Sequence, residues 1–97
     1  MPLYAVLGKF TNKRMENIKD IPKGLKASKK ALDAVGATMV NLIFTMGQYD
    51  VVAIIEAPDD AAIVTAMLDF GRLGVLRTVT LRGFTAEEYV KMVQGLP

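Results

Sequence analysis

The chain has 97 residues, of which 52% are hydrophobic and 23% charged, and its formal net charge is +2. This length suits one domain with a single core, so residues 1–97 are predicted to form one domain. The absence of His and Cys excludes disulfides and argues against zinc, copper and haem sites. We therefore expect no metal and no bound cofactor. Any catalysis has to rest on carboxylates, Lys, Arg, Tyr, hydroxyl or backbone groups, or on a supplied cofactor.

The sequence predicts neither a signal peptide nor a membrane span. The start, MPLYAVLGKF, lacks the basic residues and longer apolar core of a signal peptide. No apolar run approaches the roughly 18 residues needed to span a membrane. We expect a cytoplasmic protein. Its apolar fraction is high for a small monomer, which indicates that part of the surface is buried against a partner.

The first predicted strand is residues 3–10, a short apolar run with aromatic and β-branched members. A helical stripe follows, with apolar or small residues at steps of three and four. Its members are Ile18, Ile21, Leu25, Ser28, Leu32 and Val35. Pro22 suits a first turn but not a helix interior, so we predict a leading turn ending near Asp20 and a main helix from about Pro22 to Val35, capped by Gly36.

Two strands come next, at 37–46 and 49–57, joined by Gly47 and Gln48 in a predicted type II′ turn. A helix over 58–73 opens with Pro and two Asp, and a fourth strand covers 75–84. A capping box at 85–88 begins a C-terminal helix. The order β-α-β-β-α-β-α predicts an α+β, ferredoxin-like βαββαβ domain with an added C-terminal helix.

In such a fold the helices cover only one face of the sheet, so the other should be polar if it meets water. Here both faces are apolar at their centres. In the third strand, strict alternation places Val51, Ala53 and Ile55 on one face and Val52 and Ile54 on the other. In the second strand, it places Val40, Leu42 and Phe44 on one face and Met39 and Ile43 on the other. We therefore predict that a second copy covers the free face, sheet to sheet, in a homodimer or larger oligomer.

Three stretches carry a resemblance to a known family: FTMGQYDVVAIIEAPDD, NIKDIPKGLKASKKALDAVG and RLGVLRTVTLRGFTAEE. Together they resemble the GYD family, named for the residues that are here Gly47, Tyr49 and Asp50. The resemblance implies the dimeric α+β barrel, in which two sheets pack face to face. It implies no particular reaction, since superfamily relatives include monooxygenases, isomerases and ligand-sensing domains. The family pattern differs at residues 12–13 and at Val79, so roles there do not carry over.

The GYD residues and Glu56 are the first candidates for a site. Asp50 and Glu56 are six residues apart on one strand, about 20 Å, too far for an acid–base pair within one chain. Gly47 is best explained by turn geometry. The Asp50 carboxylate is expected to accept hydrogen bonds from backbone amides of the turn. Tyr49 is expected to be a half-buried aromatic residue at the mouth of the barrel. Glu56 is expected to pair with Arg77 or Arg82 on another strand.

Polar residues on the later strands could line a cavity between the two sheets, or could be solvated strand edges. The candidate ligand-binding set is Asn41, Tyr49, Asp50, Glu56, Arg77 and Arg82. We favour small-molecule binding in the barrel, as sensor or enzyme. The alternative is an oligomeric interaction module without a small ligand. Nucleic-acid binding by the lysine-rich first helix ranks behind both, because a solvated helix face explains its charge and no aromatic residue or phosphate loop accompanies it.

Overall fold

The computed structural model describes every residue, 1–97. Its strands are β1 (Leu3–Phe10), β2 (Thr38–Phe44), β3 (Val51–Glu56) and β4 (Leu76–Gly83). They form one antiparallel sheet with the order β2-β3-β1-β4. This is the arrangement of a split βαβ, ferredoxin-like domain, so the predicted α+β fold is confirmed.

Four α-helices accompany the sheet: α1 (Asn12–Glu16), α2 (Ile21–Asp33), α3 (Asp60–Gly71) and α4 (Ala86–Gln94), with a 3-10 turn at Ile18–Asp20. None of them has the length and apolar character that crossing a bilayer demands.

The start of α2 follows the prediction, and its end does not. Pro22 lies in the first turn, where its missing N–H breaks no helical hydrogen bond. The helix stops at Asp33 with Ala34 as its C-cap, because the chain turns toward β2 through Gly36 at φ 73°. The preceding segment holds a separate short helix, α1, which the sequence pattern did not distinguish. The Thr11 side chain caps α1 by accepting the N–H of Arg14.

The connection between β2 and β3 is longer than the predicted two-residue type II′ turn, so that prediction is wrong. The Thr45 N–H donates to the Asp50 carbonyl, which leaves four residues between these hydrogen-bonded ends. The Thr45 hydroxyl also donates to the Tyr49 carbonyl at 2.6 Å. These bonds stabilise a wider loop. Gly47 within it has φ 109°, a conformation that favours glycine.

A β-bulge between Met39 and Asn41 changes which side chains of β2 point toward the helices. Met39 and Leu42 both pair with buried residues of β3, so they share the helical side of the sheet. The prediction that placed Val40 with Leu42 and opposite Met39 is therefore wrong. One inserted residue shifts the alternation of everything on one side of it.

The hydrophobic core lies between the sheet and helices α2 and α3. Its buried members are Tyr4, Val6, Leu32, Ala37, Ala53, Ile55, Ala57, Ile63 and Ala66. The Tyr4 hydroxyl donates to the Asp60 carboxylate at 2.5 Å, which ties β1 to the first turn of α3. The hydrogen bond to Asp60 raises the pKa of Tyr4 above its usual value of 10.0, and burial adds to the effect.

The other face of the sheet, which we call the open face, is uncovered and apolar. Its side chains include Ile43, Val79 and Leu81, which are about half exposed. Helix α4 does not cover this face, since none of its residues is buried. The Cα radius of gyration is 14.8 Å, whereas a compact domain of this length has about 12.5 Å. The molecule is therefore extended, with apolar surface that a single chain leaves in solvent.

Candidate functional site

A partly open cleft lies between the helical side of the sheet and helices α2 and α3. It encloses about 80 Å³, several times the roughly 10–15 Å³ that one water requires. Most of its wall is apolar. The lining comes from the strand positions Val6, Phe10, Met39, Leu42, Phe44, Val51, Ala53, Ile55, Leu76 and Thr78, from Val75, and from the helix positions Arg14, Ile21, Gly24, Leu25, Ser28, Leu32, Met67 and Phe70.

Arg14 is the one charged residue in this wall. It is only 6% exposed and is the buried charged residue of the chain. One Nη1 hydrogen is donated to the Asn17 carbonyl at 3.1 Å, and no carboxylate lies within ion-pairing distance. A guanidinium has five N–H donors, so most of its hydrogen-bonding capacity is not used by the protein.

Local structure explains how Arg14 reaches the cleft. Thr11 caps α1 through the Arg14 N–H, which holds this five-residue helix and the arginine on it beside the sheet. Gly24 of α2 then provides room. A Cβ added there would lie 2.6 Å from Arg14 Nη2, closer than atoms can approach. Glycine inside a helix costs up to about 1 kcal/mol relative to alanine, and the guanidinium accounts for its presence.

Two hydroxyl groups add polarity to the wall. Ser28 of α2 donates to the Leu25 carbonyl at 2.8 Å, so its oxygen can still accept. Thr78 of β4 reaches the cleft from the sheet. The resulting wall has a cationic group, two hydroxyls and no acidic residue. A small, largely apolar molecule with one polar end fits that chemistry.

The sequence-predicted site residues divide between the two ends and the two faces of the sheet. Glu56 pairs with Leu3 and Thr38 at one end. Arg77 pairs with Lys9 at the other end, so the expected ion pair between Glu56 and Arg77 does not form within one chain.

Arg82 does not bond Glu56 either. Arg82 pairs with the buried Tyr4, so its side chain lies on the helical side of the sheet. Glu56 follows the buried Ile55 along β3, so its side chain lies on the open face. The Arg82 guanidinium lies 5.6 Å from the Tyr4 ring centre and 4.5 Å from that of Phe84. The predicted ion pair with Glu56 is therefore wrong for both arginines. Asn41 pairs with Ile54 on the open face, away from the cleft.

Asp50 acts on the edge of the cleft through the backbone. Pairing between β1 and β3 stops at Gly8 and Val51. Just beyond this last pair, the Asp50 carboxylate accepts a hydrogen bond from the Phe10 backbone N–H at 2.8 Å. This gives Asp50 the backbone-amide partner expected for a structural carboxylate. It also fixes Phe10, whose ring lines the cleft and lies 6.5 Å from that of Phe44.

The sequence reasoning missed Arg14 and Gly24. Arg14 lies in a segment rich in lysine, and nothing in its spacing distinguishes it from the neighbouring lysines. Two signals were present in α2. Ser28 interrupts an otherwise apolar helix stripe, and Gly24 stands in a helix interior. The lysines of that helix are exposed, as a solvated face requires.

Comparison with known proteins agrees with this architecture. The family model described as the GYD domain matches residues 4–93. The chain belongs to the GYD family. This GYD protein is 29% identical over 91 residues to a protein of Thermus thermophilus described as a "Glutamine synthetase and cystathionine beta-lyase binding protein", with 93% of this chain and 96% of the relative covered.

A solved structure with the same fold is 5-chloro-2-hydroxyhydroquinone dehydrochlorinase from Burkholderia phenoliruptrix, in complex with 2,5-dihydroxybenzoquinone. The two superimpose with a TM-score of 0.65, covering 88% of this chain and 96% of the other. Because the identity is 15%, the likeness shows the fold and not the reaction.

Proposed function

We propose that this GYD protein binds a small organic molecule in the cleft between α2, α3 and the sheet. The cleft itself carries the proposal. Only 14 of the 97 residues are buried, yet a space of about 80 Å³ is left beside this small core. Concave, mostly apolar clefts with a few polar groups are the usual form of small-molecule sites.

The position of the cleft differs from the expected one. The sequence pattern suggested a cavity between two sheets, with Asn41, Arg77 and Glu56 in its wall. The cleft lies on the helical side of one sheet, and its polar groups are Arg14, Ser28 and Thr78. A cavity between two sheets requires a second copy of the chain and stays a prediction. That a ligand is bound by a protein of the same fold, the dehydrochlorinase in complex with 2,5-dihydroxybenzoquinone, is compatible with this proposal.

The test is to fill the cleft without disturbing the fold. Ser28→Leu places an apolar side chain in the cleft, and leucine is a better helix former than serine. Lys26→Leu adds the same side chain to the exposed side of the same helix. Saturation-transfer NMR with a panel of small neutral and anionic organic molecules measures binding. We expect wild type and Lys26→Leu to bind the same members and Ser28→Leu to bind none. Failure of every member to bind wild type, or unchanged binding to Ser28→Leu, contradicts the proposal.

We propose further that two copies pair through their open faces to form a dimeric barrel. The support is the apolar open face, which one chain leaves in solvent, together with the exposed helix α4. In such a dimer Asn41, Glu56 and Arg77 become interface residues, in reach of the second copy rather than of each other.

Light scattering at micromolar concentration tests the pairing. Wild type should give the mass of a dimer or larger assembly. Val79→Glu, on the open face, should give monomer, whereas Val64→Glu changes an equally exposed valine of α3 and should leave the assembly intact. A folded wild-type monomer at this concentration contradicts the pairing, and so does a dimer that Val79→Glu does not weaken.

A second candidate function is the binding of another protein. The relative from Thermus thermophilus is described as a binding protein for two enzymes, and α4 here presents exposed apolar residues, among them Tyr89, Val90 and Val93. The test is size-exclusion chromatography of this protein with purified glutamine synthetase and cystathionine β-lyase of the source organism. Co-elution that Tyr89→Ala abolishes supports this function, and separate elution contradicts it.

A further inference from the structure

We infer that the ligand of the cleft is an organic anion and that Arg14 binds its charged group. The inference rests on the proposed function and specifies its ligand class. Its basis is a single feature, an arginine that is only 6% exposed and that lines a mostly apolar cleft without a counter-charge. Its Nη1 donates to the Asn17 carbonyl, and its remaining side-chain nitrogens have no partner in the protein and keep a small solvent-accessible area.

The charge of Arg14 is not balanced by any neighbouring carboxylate. None of the 19 residues lining the cleft is Asp or Glu, and all three ion pairs of the chain lie elsewhere, on exposed helix surfaces. Burying a charge is costly unless it is paired. An anion in the cleft supplies the missing partner, and a carboxylate matches the guanidinium with two parallel hydrogen bonds.

The rest of the wall defines the body of the ligand. Phe10, Phe44 and Phe70 line the cleft together with aliphatic side chains, so the part of the ligand away from Arg14 is apolar. The Thr78 hydroxyl can donate to a ligand oxygen, whereas the Ser28 oxygen can only accept from a ligand O–H or N–H, because its own proton is donated to the Leu25 carbonyl. A space of about 80 Å³ suits one ring or a short chain. The ligand class is thus a small aromatic or aliphatic carboxylate, or an equivalent anion.

The competing explanation is that Arg14 has only a structural role, through its hydrogen bond to the Asn17 carbonyl. A structural arginine affects folding but does not distinguish an anionic ligand from a neutral one of the same shape. Matched ligand pairs therefore separate the two explanations. Benzoate with benzyl alcohol, and hexanoate with 1-hexanol, keep the apolar body and change the charge.

Titration by NMR or calorimetry measures the affinity of each probe for wild type and for Arg14→Met. Lys23→Met is the control, since it removes the same charge from an exposed site on the neighbouring turn. Gly24→Ala is a second variant that keeps the charge but pushes the guanidinium out of place, because its Cβ would overlap Nη2. It keeps the inference testable where Arg14→Met does not fold.

We expect wild type and Lys23→Met to bind at least one of the anions about tenfold or more tightly than its neutral partner, the preference expected of charged hydrogen bonds. Arg14→Met should lose that preference while still binding the neutral probes, and Gly24→Ala should reduce it. Equal affinity of wild type for anion and alcohol overturns the inference and leaves the proposed function standing. No binding of any probe to wild type overturns both.

Discussion

Replacing Arg14 by methionine should make the protein more stable, although the arginine is buried. Methionine keeps an unbranched side chain of similar length, so the apolar packing of the stem is largely retained. The change removes the charge of a residue that is 6% exposed and that lacks a carboxylate partner. It also removes one hydrogen bond to the Asn17 carbonyl, and Asn17 is exposed, so the freed oxygen can bond water.

The magnitude follows from two opposing contributions. Desolvation of an ion costs several kcal/mol in real proteins. No side-chain nitrogen of the chain is both buried and unbonded, so the free nitrogens of Arg14 keep some access to solvent, and we take the lower range of that cost. The lost hydrogen bond from a charged donor contributes roughly 1.5–3 kcal/mol. The difference favours methionine by about 1–2 kcal/mol, which in a domain of this size raises Tm by roughly 4–16 °C.

Chemical denaturation of wild type, Arg14→Met and Lys23→Met measures the free energy of unfolding. Residues 9–30 carry eight Lys or Arg against two acidic residues, so removing any positive charge there relieves some repulsion, and Lys23→Met measures that contribution. Protein concentration has to be constant, because dimer formation stabilises the folded chain by mass action. A loss of more than about 1 kcal/mol in Arg14→Met relative to Lys23→Met would refute the reasoning, since it would show that the arginine holds the fold together.

Three further predictions concern the loop and the core. Gly47→Val should cost about 1–3 kcal/mol in unfolding free energy, because the residue has φ 109°, whereas Gly71→Val, with open space around it, should cost less. Asp50→Asn retains an acceptor for the Phe10 N–H and should leave fold and assembly intact, whereas Asp50→Ala should lose about 1–3 kcal/mol; equal effects would refute a backbone-capping role. The Tyr4 pKa is raised above 10.0 in the folded state, so its contribution is full below pH 10 and is lost as pH rises through the folded pKa. Wild type should therefore lose stability relative to Tyr4→Phe as pH rises above 10, and parallel pH profiles would contradict this.

Regular parts of the fold could be predicted because their patterns depend on local periodicity. The buried alternation of Val51, Ala53 and Ile55 is a two-residue repeat that the structure confirms. The capping box of α4 is a local motif, with both hydrogen bonds between Thr85 and Glu88 present. In each case the interacting groups lie within a few residues, so sequence distance and spatial distance agree.

The missed features depend on single irregularities or on distant contacts. One inserted residue at the β2 bulge reverses the facing of Met39, and no periodic pattern marks the insertion. The loop after β2 is set by hydrogen bonds from Thr45 and by Asp50 reaching Phe10, 40 positions away. Arg14 is placed in the cleft only when α1 folds against the sheet and Gly24 of another helix leaves space. Such a site is a product of tertiary packing, which charge counting along the chain cannot detect.

The cleft and the open face lie on opposite sides of the same strands. In β3 the residues Val51, Ala53 and Ile55 line the cleft, while the alternate residues Val52 and Ile54 lie on the open face. A ligand that shifts this strand also shifts the surface proposed for the second copy, since close-packed interiors transmit small displacements. Any resulting coupling is reciprocal: a ligand that strengthens pairing tenfold is itself bound ten times more tightly by the dimer than by the monomer. The strand that joins the two surfaces is therefore where ligand binding and assembly would be linked.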